Sequence, residues 1–137
     1  MCITTQGYCV TTNANKQFEQ KNVTENLFDF VAGSYNNIGV VYKKKGDLEN
    51  SLLQYQRALE IRTRVFGSEH PFVADTKENI GLVYAKTGKK SEAKTLFTEA
   101  AKIRRNKLGP DHPLTKKSER LASVALSYFN MGLFIVV

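Results

Sequence analysis

Only two cysteines, two histidines and three prolines occur among the 137 residues. Cys2 and Cys9 lie together near the N-terminus with no histidine or further cysteine at ligand spacing, so they support neither a zinc site nor a disulfide framework. No serine, cysteine or carboxylate cluster offers a nucleophile beside a base and an orienting group, which argues against an enzyme. No cofactor and no metal are expected. The opening MCITTQGYCV has neither a basic leader nor an apolar run of about 7 to 15 residues, so it does not read as a secretory signal. Without export or a need for disulfides, the expected setting is cytoplasmic, where the sequon Asn22-Val23-Thr24 is inert.

Long apolar runs are also scarce. The exception is Leu121 to Val137, 17 residues without a charge but with two serines and an asparagine among them. That is the lower edge of a membrane-spanning length. We read Leu121 to about Phe129 as an apolar cap on the fold and residues 130–137 as a hydrophobic tail, with a tail anchor as the alternative.

What the chain does have is a repeat. Residues Val31 to Pro71 recur from Val73 to Pro113 at a constant offset of 42, with 15 of the 41 aligned positions identical. Average residue usage would give roughly 2 to 3. A period between about 20 and 50 residues marks a solenoid, in which each unit buries its apolar face against the next. Hydrophobic residues at 42%, charged residues at 24% and few prolines suit a helical domain.

Residues 1–24, rich in Thr, Asn and Gln, show no apolar period and are expected to be mobile. Thr24 is the expected N-cap of a first helix running to Lys45. Gly46 suits its C-terminal stop, and Asp47 caps a second helix to about Val65 with Leu48, Ser51, Leu52, Tyr55, Ala58, Leu59 and the stem of Arg62 inward. Pro71 opens the next helix, Gly88 ends it, and Ala93, Leu96, Phe97, Ala100 and Ile103 line the helix that follows. Small residues at Gly39, Gly81, Ser51, Ala93, Ala58 and Ala100 permit close helix approach, with Tyr42, Tyr84, Tyr55 and Phe97 filling the gaps. A third unit opens at Gly109-Pro110-Asp111-His112-Pro113 and then loses the pattern, with Ser123 where the repeat has glycine.

The pattern Tyr35, Ile38-Gly39, Tyr42, Ser51, Tyr55, Ala58, and again Ile80-Gly81, Tyr84, Ala93, Phe97, Ala100, resembles the tetratricopeptide repeat. Lys77 replaces the first aromatic in the second copy, and the usual proline near the end of each second helix is missing. The 42-residue period resembles the longer variant of kinesin light chains and nephrocystin-like arrays, over about residues 30 to 124. It implies an all-α, right-handed superhelix over residues 25–129: two complete helix pairs, about 31–71 and 73–113, and a capping helix over 114–129. It also implies a non-enzymatic scaffold or adaptor that binds an extended peptide along the first helices of the repeats, where the equivalent asparagine bonds the ligand main chain.

The asparagines are Asn37 and Asn79, poor helix formers that recur at the offset. Lys44 and Lys86 lie seven residues on with Val40 and Leu82 between, and Lys117 and Arg120 extend the face into the third unit. The alternative for each asparagine is a tie between neighbouring repeats. The lysines, including the run Lys43-Lys44-Lys45, read either as solvated helix ends suited to the dipole or as the rim of a groove for an acidic peptide. A net charge of +7 leaves nucleic acid as a further alternative, without an aromatic-interleaved basic strand to support it. His70 and His112 occupy equivalent loops beside Pro71 and Pro113 and read as groups that satisfy backbone at a helix start. Two full repeats fall short of the about three that usually give independent stability, so a fragment, a remnant or a self-associating chain is expected.

Overall fold

Four glycines set the helix ends, and their spacing gives the fold its period. Gly46, Gly67, Gly88 and Gly109 all have positive φ, between 82° and 92°. At Gly46 the chain turns so that Asp47 N–H reaches the Tyr42 carbonyl at 3.0 Å, and Lys89 does the same to Tyr84 at 2.9 Å. These bonds satisfy carbonyls that a helix end leaves open.

The computed structural model describes the backbone of residues 2–135 and the side chains of residues 14–125. Among the described residues there are five helices: α1 Cys2–Lys45, α2 Leu48–Phe66, α3 Pro71–Lys86, α4 Lys90–Leu108 and α5 Pro113–Ile135. Helices α1 and α2 pack as one pair and α3 and α4 as the next, while α2 meets α3 and α4 meets α5. The last residues of the expected tail, 130–137, lie outside the described side chains.

Helix α1 corrects the expected start at Thr24, because it is already helical from Cys2. No proline precedes Pro71, so nothing interrupts the ladder, and the Thr24 hydroxyl bonds back to the Gln20 and Lys21 carbonyls inside the helix instead of capping it. Asp47 does cap α2, accepting from Asn50 N–H at 3.1 Å.

The close approaches fall where the small residues are. A Cβ on Gly39 would lie 2.7 Å from the Tyr55 ring, and one on Gly81 2.7 Å from the Phe97 ring. Ala58, Ala93 and Ala100 are fully buried. The Ser51 hydroxyl donates to the Gly39 carbonyl at 2.8 Å, fixing the α1–α2 crossing. Tyr42 and Tyr84 are only half-buried. Leu59 joins the two clusters of the core, one around Tyr55, Ile80 and Val83 and one around Val73, Ala74, Ala100 and Ile103.

Arg62 and Arg104 sit at equivalent positions, 7% and 2% exposed. Each guanidinium, and not merely its stem, is buried at the junction of one pair with the next. Arg62 donates to the Phe72 carbonyl at 3.1 Å and to the Thr76 hydroxyl at 2.8 Å. Arg104 reaches the Leu114 carbonyl at 3.3 Å and the Ser118 hydroxyl, and pairs with Asp75 and Glu78. A buried cation needs such partners, since stranding one is costly.

Candidate functional site

Three odd-numbered helices make one layer. The Asn79 side-chain N–H donates to the Asn36 side chain at 2.9 Å, joining α3 to α1. Glu78 joins α3 to α5 through the Ser118 hydroxyl at 3.0 Å and the Lys117 ammonium at 2.7 Å. Helices α2 and α4 form the other layer. The residues expected to line a groove are distributed over α1, α3 and α5.

An apolar row crosses these helices at the repeat offset. Val40 and Leu82 are half-buried, and Val124, 47% exposed, continues them on α5. Leu82, Leu121 and Val124 line a cavity of about 380 Å³ with Ala85, Lys90, Ala125 and the buried Ala93 and Phe97 of α4.

Cations gather beside this row. Lys86 and Lys44 are exposed, and Lys43 is half-buried. Burial lowers the Lys43 pKa first, and the charges of Lys86, Lys117 and Lys44 push the same way against Glu78. These ammonium groups therefore share one field. Glu78 is 3% exposed. Burial alone would raise its pKa, but the Lys117 hydrogen bond and the Arg104 charge outweigh that and bring it below the usual carboxylate value. Its negative charge is already committed within the protein. What faces solvent beside the row is positive and apolar apart from the amide of Asn37.

Each expected site residue has a definite place. Asn79 is half-buried and ties α3 to α1, whereas Asn37 is exposed. Arg120 is exposed and lines a second, shallow cavity with Lys116, Glu119, Ser123 and Val124, and Val124 also lines the Leu82 cavity. His70 Nδ1 accepts from Phe72 N–H at 3.2 Å with its ring stacked on Phe66, and His112 Nδ1 accepts from Leu114 N–H at 3.2 Å. Burial lowers the His70 pKa, reinforced by Arg62 and Lys107 and opposed by Asp29 and Asp75. Among the described residues no group of three His, Cys, Asp or Glu could hold a metal ion. Among the same residues no helix is long and apolar enough to cross a membrane.

Sequence reasoning passed over Asn36, Glu78 and Val124. Val124 carried a signal, because it stands 42 positions after Leu82. Glu78 carried none, since the equivalent residue is Asn36.

Comparison with known proteins agrees with the paired-helix fold. The family profile described as tetratricopeptide repeat matches residues 30–106. No curated protein sequence matches the chain significantly. Among solved structures, the crystal structure of BtubC (BKLC) from P. vanneervenii is similar, with a TM-score of 0.69 at 20% identity over 74% of this chain. The match spans 40% of that chain. At this identity the likeness concerns the fold alone.

Proposed function

Because the chain belongs to the tetratricopeptide repeat family, whose repeats generally mediate protein–protein interaction, we propose that the α1–α3–α5 face binds an extended, acidic and partly apolar segment of a protein partner. The observation that carries this is the apolar row Val40–Leu82–Val124 with its cavity beside Leu82, bordered by the cations Lys43, Lys44, Lys86 and Lys117. An apolar side chain of the ligand fills the cavity, and flanking carboxylates meet the ammonium groups. Asn79 has spent one N–H on Asn36; its second N–H and its carbonyl oxygen suit a ligand main chain. Asn37, exposed on α1, offers the same groups one repeat earlier. Arg120, whose cavity shares Val124 with the row, extends the positive rim at the α5 end. The protein then acts as a non-catalytic adaptor in the cytoplasm.

The experiment is selection of random twelve-residue peptides displayed on phage, followed by calorimetric titration of the enriched sequences. Enriched peptides should combine acidic and apolar residues. Leu82→Arg, which places a charge in the cavity, should weaken their binding at least about tenfold. Enrichment of basic peptides, or binding untouched by Leu82→Arg, would remove the groove from consideration.

A further inference from the structure

Repeat equivalence exposes an anomaly on α1. Thr76, Ile80 and Val83 of α3 are 0%, 4% and 0% exposed; Ile80 and Val83 pack in the cluster that also holds Leu52, Tyr55 and Leu59 of α2. Their counterparts 42 positions earlier, Ser34, Ile38 and Val41, have no such cover, and Ile38 and Val41 are 44% and 51% exposed. The same stripe continues toward the N-terminus through Phe30, Leu27 and Val23, at 73%, 59% and 65%. Spacings of three and four residues keep all six positions on one side of the helix, over about 27 Å of its length. Residues 14–24 of α1 are exposed except for backbone pairing within the helix. A helix segment of that kind draws stability from packing and not from propensity.

We propose that this stripe binds a second copy of the chain, with the two α1 helices antiparallel about a twofold axis near residue 32. The stripe is self-complementary in that arrangement and in no parallel one. Phe30 lies opposite the small Ser34 of the second copy and Ser34 opposite its Phe30, so the large side chain enters the gap left by the small one. Val23 lies opposite Val41, and Leu27 beside Ile38. At each end Glu19 comes beside Lys44 and Lys45 of the second copy, while Lys16, one turn further out on the same stripe, falls past the end of the second copy's α1, so a carboxylate meets two ammonium groups at each end. A twofold interface requires this reciprocity, in which one residue meets a second and the second meets the first. In a parallel pair Phe30 would face Phe30, and the basic ends would coincide. The dimer contact lies on α1 and shares only Lys44 with the rim of the groove, whose Leu82 and Lys86 belong to α3 and Lys117 and Val124 to α5.

Sedimentation velocity of the full chain over a concentration series tests this. The expected species is twice the 15.4 kDa monomer mass. Phe30→Glu should weaken the dimer about a hundredfold or more, since it buries two unpaired charges, while circular dichroism stays helical. Glu19→Lys should weaken it severalfold and more so at low salt, and adding Lys44→Glu and Lys45→Glu should restore it. Rescue by that swap is unique to the antiparallel register. Leu82→Arg, in the groove, should leave the mass unchanged, which separates this proposal from the peptide site. A monomer at every concentration overturns the proposal and assigns the stripe to a different protein. A dimer indifferent to Phe30→Glu, or a swap that fails to rescue, overturns the surface or its register.

Discussion

Replacing Gly81 by alanine sets helix propensity against packing at a point where the outcome can be worked from distances. In a helix interior glycine costs about 0.5–1 kcal/mol relative to alanine, so Gly81→Ala would ordinarily stabilise α3. Here the new Cβ would stand 2.7 Å from Cε1 of Phe97 and 3.1 Å from its Cδ1. Phe97 is 3% exposed, so the ring has little room to retreat. Overpacking of this kind costs about 1–3 kcal/mol, leaving a net loss of up to about 2.5 kcal/mol after the propensity gain. For a domain of this size that lowers the melting temperature by about 3–4 °C per kcal/mol. Gly33 is the control, because nothing lies within 4 Å of a Cβ built there; Gly33→Ala should raise the melting temperature. The second arm is Phe97→Leu, which is destabilising alone but makes room for the methyl group. In that background Gly81→Ala should become neutral or favourable, a coupling of about 1–2 kcal/mol between contacting residues. Thermal and urea denaturation of the cycle measure it. If Gly81→Ala stabilises as much as Gly33→Ala, the approach of α3 to α4 is looser than described.

Three more outcomes follow from other parts of the core. Ala100→Leu, at a fully buried site beside Val73 and Ile103, should cost about 1–3 kcal/mol by urea denaturation. Glu78→Ala leaves the Arg104 guanidinium, 2% exposed, with one carboxylate fewer and should cost about 3–5 kcal/mol; Arg104→Met together with Glu78→Leu should recover much of the loss. His70 has a pKa below its usual 6.5, so the folded state favours the neutral ring: stability is complete above about pH 6.5 and declines as pH falls toward the folded pKa. His70→Asn keeps an acceptor at the cap without titrating there, and should flatten that part of the stability profile measured between pH 7 and 5.

The repeating parts of the molecule were legible in the sequence because they are local or recur at one offset. Pro71, Gly46 and Gly88 mark helix ends through their own backbone restrictions. Gly39 with Tyr55, and Gly81 with Phe97, pair because each repeat needs the same crossing. The N-terminal half of α1 was not legible, since a polar segment without an apolar period gives no signal of its own, and only the absence of proline permits the helix to continue. Arg62 looked like an amphipathic stem on a helix face. Its guanidinium is buried because the next helix begins at Pro71 and brings the Phe72 carbonyl and Thr76 hydroxyl over it, which depends on the angle between pairs. Ile61-Arg62 does recur as Ile103-Arg104, so a buried structural role carried a visible hint. The Asn79 contact with Asn36 depends on how far α3 rotates against α1, which a single repeat does not encode.

The groove itself is tested most directly by nuclear magnetic resonance titration of the isotope-labelled chain with an enriched acidic peptide. Shifts should concentrate at Val40, Asn79, Leu82, Lys86, Lys117 and Val124 and be lost in Leu82→Arg, with affinity falling as salt rises because Lys44, Lys86 and Lys117 are exposed. Shifts confined to α2 and α4, or to the Val23–Val41 stripe of α1, would contradict it.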